Sequence, residues 1–298
     1  MTTIYNNITR LTAALVTVTV CTLSSFGQNI GGVTSGIVFN NESSDTTRLT
    51  SILIDATSGE RRQGNSQTYL LGMAEQFIGT PYVAATLEGE PEALRVNLDG
   101  MDCTTFVQTA MALAMTAAEG RSSWRDFIYN LESLRYRGGR MNGYGSRLHY
   151  TTDWALDNIT RGNLIEVTDR VGRTNYMVKS IDWMTRNRDN YPAMQDSTVY
   201  AEIKHVEEGY HGHRMGYIKS SNVIGANLQD GDIVALVSRK PGLDISHIGI
   251  IKMRKGKPHL LHASSTGKQV RIEEKTLTDY LRPMREVAGI RVFRLAGY

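Results

Sequence analysis

The chain has 298 residues and a formal net charge of +3, a balance too mild to argue for a nucleic-acid partner. Its two cysteines, Cys21 and Cys103, cannot form a disulfide framework once an export signal is removed, so a small cross-linked scaffold is excluded. Heptads, internal repeats and glycine-rich phosphate loops do not occur, and no cofactor is indicated.

Residues 1–27 predict a signal peptide. Arg10 is the one charge before an apolar run over 11–23, and that run is shorter than the roughly 20 residues a membrane-crossing helix needs, so no transmembrane span is expected. Small residues at Ser25 and Gly27 place the mature start near Gln28, which implies export to the periplasm. The alternative is a lipoprotein anchored through Cys21, against which Val20 stands where a small residue is normally required. Residues 28–66 read as an N-terminal extension closing in a polar linker over 59–66 (GERRQGNS). Residues 67–298 read as the catalytic domain.

Counting from Cys103, the residues Phe106, Val107, Ala110, Met111 and Ala114 recur at the three-and-four spacing of one helical face, with a stop at Glu119-Gly120. Cys103 therefore belongs to a first helical turn, where unpaired N–H groups and the positive end of the dipole favour thiolate over thiol. This predicts a thiol pKa below the ordinary value of about 8.5. A buried structural cysteine is the plainer alternative.

Residues 121–226 form a long insertion between this helix and the next motifs. His205, His211 and His213 cluster within it, but their polar, glycine-rich surroundings read as a solvated loop, and a metal site is not expected there. Beyond a turn at 227–232, residues 233–237 read as a buried strand and 245–253 and 259–264 as a hairpin joined through 254–258. Symmetry about a point between Arg254 and Lys255 sets His247 directly opposite His262. A lone histidine on an apolar strand is usually a satisfied core residue. Two across one hairpin, in a chain with a helix-starting thiol, suggest acyl transfer, with Cys103 as nucleophile, His247 as base and His262 as the residue that orients it. The Cys103 N–H and Tyr82, from the loop 79–82 after an earlier helix, are candidates for the oxyanion. Asp102, Thr104 and Ser246, beside the nucleophile and base, are grouped with them as oxyanion or substrate contacts. Tyr82 as a plain interfacial aromatic is the alternative.

The blocks Gly79-Thr80-Pro81-Tyr82, Asp102-Cys103-Thr104-Thr105-Phe106-Val107, Leu228-Gln229-Asp230-Gly231-Asp232, Ser246-His247-Ile248-Gly249 and Leu261-His262-Ala263-Ser264 resemble, in type and order, the NlpC-type cell-wall cysteine hydrolases. That resemblance implies an α+β, papain-like fold in which the nucleophile helix packs on an antiparallel sheet. The long insertion, with Gly145-Ser146-Arg147-Leu148-His149-Tyr150-Thr151-Thr152-Asp153-Trp154, Ile181-Asp182-Trp183-Met184 and Tyr191-Pro192, is similar to the bacterial N-acetylmuramoyl-L-alanine amidase-like family, an insertion-bearing branch of the same superfamily. Membership implies cleavage of the amide between the muramic acid lactyl group and L-alanine in peptidoglycan fragments (muropeptides). Within the insertion, Arg147 is a candidate for a substrate carboxylate and Trp154 for stacking on a sugar or peptide face, with His149 and Asp153 beside them. The alternative is that Arg147, Asp153 and Trp154 tie the insertion to the core. Rival functions are an endopeptidase cutting within the stem peptide and a non-catalytic wall-binding domain.

Overall fold

A computed structural model describes residues 36–58 and 65–297. The expected export signal over 1–27, with Cys21, and linker residues 59–64 lie outside the described residues. Strand β1 (Ile37–Phe39) leads into α1 (Glu42–Thr57), whose first turn is closed by the Asn41 side chain accepting from the Ser44 N–H. Helix α2 (Ser66–Glu75) begins at the last residue expected in the linker, because Asn65 accepts from the Thr68 N–H and caps it. Strand β2 (Leu94–Val96) pairs parallel with β1. Helices α3 (Cys103–Ala118) and α4 (Trp124–Arg135) follow. Then come α5 (Thr151–Thr160), β3 (Leu164–Glu166), the single turn α6 (Thr168–Val171), β4 (Thr174–Lys179), α7 (Trp183–Arg186), α8 (Ser197–Glu208) and β5 (His213–Lys219). The chain closes with β6 (Ile233–Ser238), β7 (Ile245–Arg254), β8 (Lys257–Ser264), β9 (Gln269–Thr276), α9 (Leu277–Leu281) and β10 (Val287–Leu295). Among the described residues no helix is long and apolar enough to cross a membrane.

The protein is a mixed α+β structure built on an eight-stranded sheet. Its order is β4-β5-β10-β6-β7-β8-β9, with β3 also pairing to β10, and every pairing is antiparallel. All six residues of β6 are buried, which explains why it reads as an unbroken apolar run. Ile233, Ala235 and Val237 join the larger core shared with α1 to α4, while Val234 and Leu236 join a second core with Leu277 and Leu281 of α9. Leu49 and Leu53 of α1 are fully buried in the larger core, so the described part of the N-terminal extension is built into it. The insertion is equally integral: α4 packs on α3, and β3, β4 and β5 extend the sheet.

The hairpin is tighter than the sequence predicts. Arg254 pairs with Lys257 across a two-residue turn, Lys255-Gly256, in which both residues have positive φ (49° and 73°). This is the turn whose twist suits a hairpin, and glycine fills its second position without strain. The register moves by two residues, with Ile250 facing Leu261. His247 is therefore a diagonal rather than a direct neighbour of His262. A two-residue shift preserves the side-chain alternation, so the two rings still share a face.

Candidate active site

Cys103 is the first residue of α3. Asp102 caps the helix through Oδ1, which accepts from the Thr105 N–H at 2.8 Å, and the Thr105 hydroxyl accepts from the Asp102 N–H at 2.9 Å. This reciprocal box locks the turn that carries the thiol. The loop bearing Tyr82 is laced to the same entrance: the Met101 N–H donates to the Pro81 carbonyl and the Val83 N–H to the Met101 carbonyl. Gly100 permits the approach, since a Cβ there would meet Val83 Cγ2 at 2.5 Å. Tyr82 is half-buried, and burial, with the charges of Cys103 and Asp102, pushes its phenol up, so it remains an O–H donor.

The histidines form a chain. His247 Nε2 lies 2.5 Å from His262 Nδ1, with the rings nearly perpendicular, and His262 Nε2 lies 2.9 Å from Glu273 Oε1 on β9. A carboxylate only accepts, so His262 carries its proton on Nε2 and its Nδ1 accepts; His247 then carries its proton on Nε2, leaving its Nδ1 lone pair free. Two local features aim these rings. A register shift opposite Leu236 and Val237 puts an extra residue into β7 beside His247, and Gly249 leaves room for His262, whose Cβ would lie 3.0 Å from a Cβ built at that glycine. Glu273 was not a sequence candidate. Its one signal was alternation: it stands two residues beyond Arg271, the partner of His262 across the β8–β9 pair.

Cys103 and His247 line one cavity of about 270 Å³, together with Asp102, Thr104, Ser246, Arg147 and His149. Ser246 is exposed, and its hydroxyl donates to the Leu236 carbonyl. The far wall includes Trp183, Met184 and Tyr191 from the insertion. Tyr82 is not among the lining residues, and His262, 1 % exposed, stands behind His247.

The electrostatics reverse one expectation. Burial pushes the Cys103 thiol up to about 11, Asp102 adding to the effect against the Ile248 N–H and the Thr104 hydroxyl. Burial, helped by His262, holds His247 down to about 3, and His262 is lowered too, again by burial, despite Glu273. A helix terminus contributes about 0.3–1 kcal/mol, less than one pKa unit, and desolvation in this pocket outweighs it. The resting couple is a neutral thiol beside a neutral imidazole.

The insertion residues divide. Arg147 lines the cavity, but its guanidinium is taken by the Leu87 carbonyl and Glu88, lies 3.5 Å from Glu92 and stacks over Tyr144. His149 is half-buried with Nε2 on the Tyr144 carbonyl, and burial pushes its pKa to about 3. Asp153 and Trp154 do not face the cavity. Asp153 is held bidentately by Arg137 and by the Tyr210 hydroxyl, and Trp154 is 3 % exposed in the core. Both carry the insertion against the core, because a helix starting at Thr151 turns those positions inward. His205 lies in the last turn of α8, His211 follows the helix and His213 opens β5; among the described residues no three His, Cys, Asp or Glu side chains converge as a metal site.

A model of the AmiA-like family, described as N-acetylmuramoyl-L-alanine amidase-like, matches residues 72–290, and the chain belongs to that family. The matched span includes Cys103, His247, His262 and Glu273. Among solved structures, the chain is similar to an N-acetylmuramoyl-L-alanine amidase from Bacteroides uniformis, with 35 % identity and a TM-score of 0.72 over 76 % of this chain and 98 % of that one. It is also similar to a Bacteroides fragilis protein provisionally named a xylanase, with 35 % identity and a TM-score of 0.71 over 76 % and 100 %. A Legionella pneumophila protein at 20 % identity, TM-score 0.64, over 86 % and 97 %, shares the fold. No curated protein matches the chain.

Proposed function

We propose that the protein is an exported, papain-like cysteine amidase of the NlpC type that hydrolyses the N-acetylmuramoyl–L-alanine amide of muropeptides. The observation that carries this reading is the ordered line Glu273–His262–His247 backing a cavity that also holds a thiol at a helix start. Family membership supports the amide as the bond.

His247 Nδ1 takes the Cys103 proton as sulfur attacks the lactyl carbonyl, so no thiolate need pre-exist. The Cys103 N–H, at the first helical position where no intrahelical carbonyl is available to it, meets the developing oxyanion. The C–N bond breaks with the proton passing from His247 to the alanine nitrogen, leaving a thioester. Water then gives a proton to His247, adds to the thioester, and releases the muramic carboxylic acid as sulfur recovers its proton. Glycoside hydrolysis would require two carboxyl groups facing across the cavity. The carboxylates lining it are committed: Glu88 to Arg147, Asp102 to the Thr105 N–H and Asp244 to the Thr152 N–H.

Incubation with defined muropeptides and mass analysis of the products tests the proposal. An intact stem with N-terminal L-alanine is the expected product, and Cys103→Ala abolishes it. Cleavage inside the stem would favour an endopeptidase, and turnover persisting in Cys103→Ala would remove the cysteine mechanism.

A further inference from the structure

The cavity floor holds a charge that the chemistry above does not use. Arg135 ends α4, is 2 % exposed and lines the cavity. Its Nε donates to Gln108 Oε1 at 2.9 Å and its Nη1 to the Arg95 carbonyl at 2.7 Å, both neutral acceptors. Among the described residues its Nη2 makes no hydrogen bond, and it is not one of the sealed-in unpaired atoms, which leaves the cavity as its outlet. The carboxylates nearby are held by others: Glu88 and Glu92 by Arg147, Glu92 also by the Tyr136 hydroxyl, and Asp102 by the Thr105 N–H and hydroxyl. Burial lowers the Arg135 pKa to about 10, which still leaves it protonated at neutral pH. A buried cation with no carboxylate in ion-pair contact is costly, and a ligand that supplies one recovers that cost on binding.

We infer that Arg135 is the anion-binding residue of the cavity and takes a carboxylate of the substrate, resting on the reading of this cavity as the muropeptide site. Distance selects which carboxylate. Gln108, which steers the guanidinium, lies five residues along α3 from Cys103, a rise of about 7.5 Å, and an extended peptide covers about 7 Å in two residues. With the scissile amide at Cys103, the acid belongs to the second residue of the stem. A planar guanidinium suits it, and a neutral amide in the same place would leave the charge uncompensated.

The test uses the Cys103→Ala full chain, in which binding is separated from turnover, and two probes: N-acetylmuramoyl-L-alanyl-D-glutamate and its diamide. Calorimetry should find the diamide at least about tenfold weaker. In Cys103→Ala/Arg135→Gln the ratio should fall towards one, and in Cys103→Ala/Arg135→Lys, with the charge kept but the fork lost, it should be intermediate. Should the Gln variant fail to fold, the two-ligand ratio in the Cys103→Ala chain decides alone. Equal affinities, no binding of either probe, or a ratio unchanged by Arg135→Gln overturns the inference. Product analysis of the wild-type chain is independent: equal affinities with correct cleavage would sink the anion site alone, and a preserved ratio with a different bond cut would sink the amidase reading alone.

Discussion

Cys103 and His247 are both driven towards their uncharged forms by the burial that shapes their cavity. Alkylation of Cys103 by iodoacetamide should therefore lack a thiolate plateau at neutral pH and rise through the alkaline range, the thiol titrating above its ordinary value; a plateau reached below pH 8 would contradict this. In the proposed mechanism activity requires the neutral His247 ring, so its depressed pKa should move the acid limb of kcat/KM below the usual imidazole value of about 6.5. Glu273 acts through another residue: it fixes the tautomer of His262, and through it that of His247. Glu273→Gln offers the His262 ring a group that can donate as well as accept, so kcat should drop by about 10–100-fold with KM little changed and the pH profile displaced, whereas a purely structural residue would leave the profile in place.

At the level of elements, one glycine and one turn decide whether the rings meet. A methyl group at Gly249 would press on His262 Cβ, Leu260 Cδ1 and the Leu261 carbonyl, all at or below 3.0 Å. Gly249→Ala should lower kcat by about tenfold or more through displaced imidazoles while substrate affinity is largely kept, measured by steady-state kinetics beside calorimetry. Much of this level was legible in advance. The helix at Cys103 and the strands at 233, 245 and 259 follow from spacing and β-branched runs, and the pairing of His247 with His262 survives a register error because alternation has period two. Glu273 could not be placed in advance, since its alternation with Arg271 counts only once the β8–β9 register is known, and that register carries a shift between His259 and Leu261 that no local pattern encodes.

Across the whole molecule, the insertion is core rather than appendage, and Trp154 measures this. Trp154→Ala should cost about 3–5 kcal/mol in chemical denaturation, whereas Trp154→Phe, which keeps most of the packing and removes an indole N–H without a partner, should be close to neutral. Stability should also follow pH in a definite direction. His149 and His247 are held to about 3 when folded, below the unfolded value of about 6.5, so their contribution is full above pH 6.5 and is lost as pH falls towards 3. Urea midpoints should decline over that window, and His149→Gln should flatten the decline.

Sequence alone settles which residue types exist and how they alternate: one helix-starting thiol, two histidines of matching parity, and an apolar spine for the sheet. These are local properties, set by periods of 3.6 and 2. Only the tertiary structure decides what the charges do, because solvation and partners come from residues far apart in the chain. It buries Asp153 and Trp154, spends Arg147 on Glu88, leaves Arg135 without a carboxylate partner at the cavity floor, and raises the Cys103 thiol where a helix terminus by itself would have lowered it.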